Sequence, residues 1–151
     1  LKECNTKEDP VRPELDNSFR RSYGRKIFGV KYKREIHAVM CFAYTNEIPK
    51  SVEELDIMSQ DAHLQSTLRG QNVGKIAIAY TVWSKKKGGG KLIVKEVFDK
   101  IKKSNHLNRL VTLSPLTDMA YKFHIKNGAK LISVNETTQN FEYKVIKSKN
   151  Y

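Results

Sequence analysis

Apolar and polar positions alternate in two neighbouring runs, Lys26–Tyr32 and Glu35–Thr45, which are separated only by the polar pair Lys33-Arg34. That arrangement predicts a β-hairpin. In the second run Ile36, Ala38, Met40, Phe42 and Tyr44 share one face, and Val39, Cys41 and Ala43 the other, so both faces are expected to be covered. After Pro49, Ser51-Val52-Glu53-Glu54 has the form of a capping box. Val52, Leu55 and Met58 or Ser59 follow at helical spacing, and the helix should reach about Gln65. Gly70 and Gly74 bracket a turn. Residues 74–84 then read as a central strand, with Ile76, Ile78, Tyr80 and Val82 on one face and Ala77, Ala79 and Trp83 on the other. Residues 91–103 form a helix whose stripe is Ile93, Val97 and Ile101, flanked by Val94 and Phe98. Residues 109–114 make a fourth strand. Thr117 caps a helix ending at Asn127, with Gly128 just beyond it, and residues 131–138 and 140–147 close the pattern as a hairpin. The order of elements describes a mixed α/β sheet with a crossover helix at its centre.

Residues 1–24 carry Pro10 and Pro13, many charges and no periodicity. They are expected to form a charged arm or lid, with disorder as the alternative, ahead of a single domain over residues 25–151. The whole chain has 151 residues and a net charge of +12, from 28 Lys and Arg against 16 Asp and Glu. The longest apolar stretches, residues 36–44 and 76–83, fall well short of the roughly 20 residues a membrane helix requires. Residues 1–19 lack the apolar segment of a signal peptide, and Cys4 and Cys41 fit neither a disulfide framework nor a zinc site. A cytoplasmic protein that engages no membrane is expected. The surplus charge suits nucleic acid, an anionic small molecule, or solubility alone.

One segment localises that charge. Lys85-Lys86-Lys87-Gly88-Gly89-Gly90-Lys91 lies between the central strand and the crossover helix. Glycines opening a helix leave backbone N–H groups accessible to a phosphate, and the helix dipole and the lysines favour its negative charge. The segment is no Walker loop, because no Gly-Lys-Ser/Thr follows, and it fits the dinucleotide fingerprint poorly. It reads as a pyrophosphate cradle, with Val82 and Trp83 at the end of the incoming strand as part of the same site. A flexible, solvated loop is the alternative.

The spacing Lys85-x-x-Gly88-x-Gly90 resembles the CoA-binding loop of the GNAT acetyltransferase superfamily, and 120–129 (Ala-Tyr-Lys-Phe-His-Ile-Lys-Asn-Gly-Ala) resembles its second signature. A closer resemblance is to the catalytic domain of malonyl-CoA decarboxylases, over roughly residues 35–144. Its carriers are residues 38–52, Leu92-Ile93-Val94-Lys95-Glu96-Val97, Val111-Thr112-Leu113-Ser114-Pro115, Phe123-His124-Ile125-Lys126-Asn127-Gly128-Ala129, Val134-Asn135 and Asn140-Phe141-Glu142-Tyr143. The resemblance implies a GNAT-like, mostly antiparallel mixed sheet with its crossover helix after the CoA loop. It also implies CoA or an acyl-CoA, acetyl-CoA or malonyl-CoA, as cofactor or substrate. Carried over by motif, Ser114, His124 and Tyr143 are the catalytic residues. The chemistry suits these types: losing CO2 from a malonyl thioester leaves an enolate to be stabilised and protonated. A histidine titrating near neutrality supplies a proton, and a hydroxyl orients the carboxylate.

Without the resemblance, each residue has a plainer reading. Ser114 ends a strand, His124 is a hydrogen-bonded core histidine, and Tyr143 packs in alternation with Phe141 and Val145. His37, His63 and His106 have no partners at metal-ligand spacing, and no metal is expected. Glu47 reads as a surface carboxylate. The first functional expectation is therefore an acyl-CoA enzyme resembling malonyl-CoA decarboxylase. The second is an N-acetyltransferase, in which an unidentified small molecule or amine accepts the acyl group. A nucleic-acid binder is the third and weakest, because Phe42, Tyr44, Tyr80 and Trp83 lie in apolar strands rather than among exposed basic residues. A homodimer is compatible with all three.

Overall fold

The computed structural model of the chain describes residues 9–70, 74–85, 87–104 and 106–145. The first hairpin forms where the two alternating runs meet. Strands β1 (Lys26–Tyr32) and β2 (Glu35–Thr45) pair antiparallel, and Lys33 and Arg34 between them have φ of 49° and 69°. Positive φ at both turn residues matches the twist of the flanking strands. Ser51 caps helix α2 (Val52–Arg69) by accepting from the Glu54 amide, as the capping box predicts. The helix ends at Gly70, φ 64°, several residues beyond Gln65. Leu55, Ser59 and Ala62 face inward, whereas Ile57, Leu64 and Leu68 stay exposed.

Strand β3 (Ile76–Ser84) pairs antiparallel with β2 and parallel with β4 (Arg109–Thr112). Crossover helix α3 (Gly89–Lys103) joins them and buries Ile93, Val94, Val97 and Ile101, the expected stripe. Strand β5 (Ser114–Pro115) follows, then α4 (Asp118–Lys126), β6 (Lys130–Val134) and β7 (Thr138–Tyr143). Strand β7 pairs antiparallel with β4, β5 and β6. The result is the mixed sheet that the pattern of elements implied, mostly antiparallel as the resemblance implied.

The last hairpin and β3 also differ from expectation. The last hairpin turns at residues 135–137, because Asn135 closes it: its amide donates to the Thr138 carbonyl and its Nδ2 to Thr138 Oγ1 and Asn140 Oδ1. The expected end of its second strand, 146–147, lies outside the described residues. In β3, Cys41 pairs with Thr81 but Phe42 pairs with Ala79, so Tyr80 is an extra residue, a β-bulge. The bulge reverses the alternation beyond it. Val82 joins Ala77 and Ala79 on the α3 side of the sheet, and Trp83 joins Ile76, Ile78 and Tyr80 on the other, opposite to the strict alternation expected.

The segment expected as an arm or lid is, over residues 9–24, packed onto that second face. Leu15 and Phe19, the latter in the short helix α1 (Asn17–Arg21), meet Tyr80 and Leu113 there. Asp9 and Arg20 form an ion pair of 2.8 Å with both side chains fully buried. None of the described helices is long and apolar enough to cross a membrane.

Candidate active site

Parallel strands β3 and β4 stay paired from Ile76 opposite Arg109 to Ala79 opposite Thr112, and the last bond joins the Leu113 amide to the Ala79 carbonyl at 2.9 Å. Beyond it the bulge at Tyr80 leads β3 one way, while β5 remains with β7. The gap is a cavity of about 540 Å³. Ala79, Val82, Trp83 and Ser84 line it from β3, Leu113, Ser114 and Pro115 from the opposite strand, and Ala120, Phe123 and His124 from α4. Among the described residues no Asp or Glu lines it, and no cluster of His, Cys, Asp or Glu suits a metal ion.

Helix α4 carries His124 to this gap. Thr117 accepts from the Ala120 amide at its start, and Gly128, φ 95°, follows its end. His124 Nδ1 lies 2.7 Å from the Tyr143 hydroxyl on β7. The imidazole stacks on Phe141, with ring centroids 5.0 Å apart, and meets Phe123 edge to face. Burial pushes the His124 pKa down to about 4 and raises that of Tyr143 above the ordinary phenol range. Both groups are therefore neutral at pH 7. A phenol that keeps its proton can donate it to Nδ1, and in that tautomer the imidazole proton sits on Nε2, on a residue bordering the cavity. The expectation of a histidine titrating near neutrality is thus corrected: desolvation among three aromatic rings holds it neutral.

Ser114 is also buried and lines the cavity, and its Oγ shares a 2.8 Å hydrogen bond with Thr112 Oγ1. Its partner is Thr112, while that of His124 is Tyr143, so the arrangement is not a serine–histidine nucleophile pair. Of the three expected catalytic residues, Ser114 and His124 face the cavity, and Tyr143 stands behind the imidazole.

The described residues of the glycine–lysine segment flank the cavity without lining it. Helix α3 begins at Gly89 rather than Lys91, and Gly88 precedes it at φ 84° with open space around it. A Cβ on Gly89 would meet the His37 carbonyl oxygen at 2.6 Å, and one on Gly90 the Phe123 ring at 2.5 Å. The three glycines thus serve different ends: a left-handed turn at Gly88, and close packing of the helix start on β2 and α4 at Gly89 and Gly90. Lys85 extends its ammonium over Trp83, 5.6 Å from the ring centroid, and Lys87 and Lys91 are exposed. Lys86 lies outside the described residues. Because Phe123 touches Gly90 and also lines the cavity, the helix start and the gap are contiguous.

Arg12 had no sequence signal, since a charged residue between prolines reads as solvated. Its Nε donates to the Tyr80 carbonyl at 3.4 Å and its Nη2 to the Leu113 carbonyl at 3.1 Å. One guanidinium thereby spans the two strands where they part, and Pro10 and Val11 beside it line the cavity.

No protein-family model matches the chain, and no curated protein matches it by sequence. Its fold is similar to that of the GphF GNAT-like decarboxylase in complex with isobutyryl-CoA, with a TM-score of 0.61 and 8% identity over 80% of this chain and 78% of that one. The loading GNATL domain of CurA from Lyngbya majuscula gives a TM-score of 0.59 and 11% identity over 79% and 76%. The Campylobacter jejuni N-acetyltransferase PseH in complex with acetyl coenzyme A gives 0.53 and 16% over 80% and 68%. The chain has a GNAT-like fold.

Proposed function

We propose that the chain binds an acyl-CoA thioester, with the acyl end between the parted strands and the pyrophosphate at the start of α3, and that it decarboxylates a malonyl-type acyl group. The observation that carries this reading is the hydrogen-bonded His124–Tyr143 pair, whose imidazole shares with Ser114 a cavity that no described carboxylate lines. The likeness of fold to proteins solved with isobutyryl-CoA and acetyl coenzyme A supports the thioester. The first-turn amides of α3, together with Lys85, Lys87 and Lys91, suit a pyrophosphate.

In this reading His124 Nε2–H donates to the thioester oxygen while Ser114 Oγ–H orients the carboxylate. The bond between the carboxyl carbon and the α-carbon breaks, its electron pair enters the carbonyl as an enolate, and CO2 leaves. A solvent proton on the α-carbon then completes acetyl-CoA. A fixed donor aimed at the developing oxyanion is the main source of acceleration in such a step. Transfer to an amine would instead call for a base to take the ammonium proton, and a described carboxylate is missing from the cavity for that role.

Calorimetry with CoA, acetyl-CoA and malonyl-CoA, followed by product analysis, tests the reading. CO2 and acetyl-CoA from malonyl-CoA support it. An acylated amine from acetyl-CoA replaces it with the transferase. Failure of all three to bind below millimolar concentration removes the acyl-CoA site.

A further inference from the structure

Residues of both faces of the sheet line the cavity. Val82, Ala79 and Phe123 belong to the α3 side, whereas Leu113, Tyr80 and Trp83 belong to the opposite side, where the arm lies. Pro10 and Val11 of the arm line the cavity as well.

These two residues are held on both sides. Before them, the Asp9 carboxylate accepts from the amides of Val11 (2.7 Å) and Arg12 (3.3 Å), from Thr81 Oγ1 of β3 (3.1 Å), and from Arg20 Nη1 in the buried ion pair (2.8 Å). After them, Arg12 clamps the carbonyls of Tyr80 and Leu113, and its own carbonyl accepts from Arg20 Nη2 at 2.7 Å. A carboxylate with four donors and a guanidinium with two carbonyl acceptors leave little freedom to the backbone between them. The strap has no counterpart in the sequence motifs of the site.

We propose that residues 9–12 form a fixed wall on the arm side of the strand gap, with Val11 and Pro10 setting how long an acyl group the site accepts. This rests on the acyl-CoA reading and narrows it to short acyl thioesters. A thioester entering from the α3 side has its acyl end directed toward the point where β3 and β4 part, which is where Arg12 pins the strap. A longer chain must displace Val11, and a pocket of this kind discriminates roughly tenfold or more for a methylene that does not fit. Asp9 and Arg12 are positioning residues, because they act through the wall they hold.

The test is calorimetric titration of the full chain with CoA, acetyl-CoA, butyryl-CoA and octanoyl-CoA, for the wild type, Val11→Ala and Val11→Phe. Val11 is half-buried, so both variants are expected to fold, which circular dichroism verifies. The expected result has three parts. Wild type binds octanoyl-CoA at least about tenfold more weakly than acetyl-CoA. Val11→Ala recovers most of that loss, and Val11→Phe extends it to butyryl-CoA, while free CoA binds all three proteins alike. Equal affinity for acetyl- and octanoyl-CoA in the wild type, or a chain-length profile unmoved by both variants, overturns the wall while leaving the CoA site standing. If the wild type binds neither CoA nor any thioester, wall and acyl-CoA reading fall together.

Discussion

The hydroxyl of Tyr143 sits 2.7 Å from Nδ1 of His124, and both groups are neutral and buried. A second buried phenol, Tyr80, packs edge to face on Phe19, and its hydroxyl has no hydrogen-bond partner among the described residues. The two therefore respond oppositely to the same substitution. Tyr143→Phe leaves Nδ1 unpaired and the tautomer free, so it should cost about 1–3 kcal/mol of stability. In the proposed decarboxylase reading it should also reduce turnover of malonyl-CoA by roughly 10²-fold, with CoA affinity nearly unchanged. Tyr80→Phe removes an unsatisfied donor and should be neutral or stabilising by up to about 1 kcal/mol. Urea melts of both variants, with turnover of the first, decide the matter; equal destabilisation would contradict the contrast.

His124 makes stability depend on pH. Its folded pKa, about 4, lies below the ordinary 6.5, so between those values the unfolded chain binds the extra proton. The contribution is fully present above pH 6.5 and is lost as pH falls toward 4, roughly 3 kcal/mol in all. Asp56, held below the ordinary carboxylate range by Gln60 and Arg25 against the opposing effect of its desolvation, also loses stability in acid. That term is common to the wild type and His124→Gln. Denaturant melts from pH 7.5 to 4 should therefore show a steeper decline in the wild type than in His124→Gln. Parallel curves would mean that the imidazole titrates normally.

At the start of α3 the glycines rank by what surrounds them. Gly89→Ala drives a Cβ into the backbone carbonyl of His37, which cannot yield without moving β2, whereas Gly88→Ala meets only the strain of a positive φ in open space. The first should cost about 1–3 kcal/mol from overpacking and displace the helix start, weakening CoA binding. The second should cost about 1 kcal/mol. Melting midpoints and CoA titrations of the two single variants give the order directly. If Gly88→Ala proves the more damaging, the glycines serve the turn rather than the packing.

Elements whose pattern is local were legible in the sequence. The hairpin at Lys33-Arg34, the capping box at Ser51 and the stripe of α3 each follow from residues within a few positions of one another. The bulge at Tyr80 was not, because it exists only as a mismatch between β2 and β3, and two residues changed faces with it. Ser114 and His124 stood out by motif, and the cavity joins them. The neutrality of His124 depends on Phe141, Phe123 and Tyr143 closing around it, which no spacing reports. The strap was hidden for a different reason. Asp9, Arg12 and Arg20 are residue types that water normally keeps, and their burial depends on pairing with one another and with strand carbonyls far along the chain.

That pairing can be tested by removing its members in turn. Arg20→Met leaves the Asp9 carboxylate buried with its ion-pair partner gone, a change that typically costs about 3–5 kcal/mol. Asp9→Asn alone leaves the Arg20 guanidinium buried without its opposite charge, although the Leu15 and Arg12 carbonyls and Cys41 Sγ still receive its protons, and should cost somewhat less. The double variant removes both charges, and with them the desolvation that each single variant leaves uncompensated. Its loss should therefore be smaller than the sum of the two, by at least about 1–2 kcal/mol. The same three proteins report on the wall. If Asp9 and Arg20 hold Val11 against the cavity, each loosened strap should lessen the penalty for octanoyl-CoA relative to acetyl-CoA and leave free CoA affinity intact. Additive losses in a denaturant cycle would show that the two charges fold independently. An unmoved acyl profile would show that the ion pair stabilises the arm without positioning the wall.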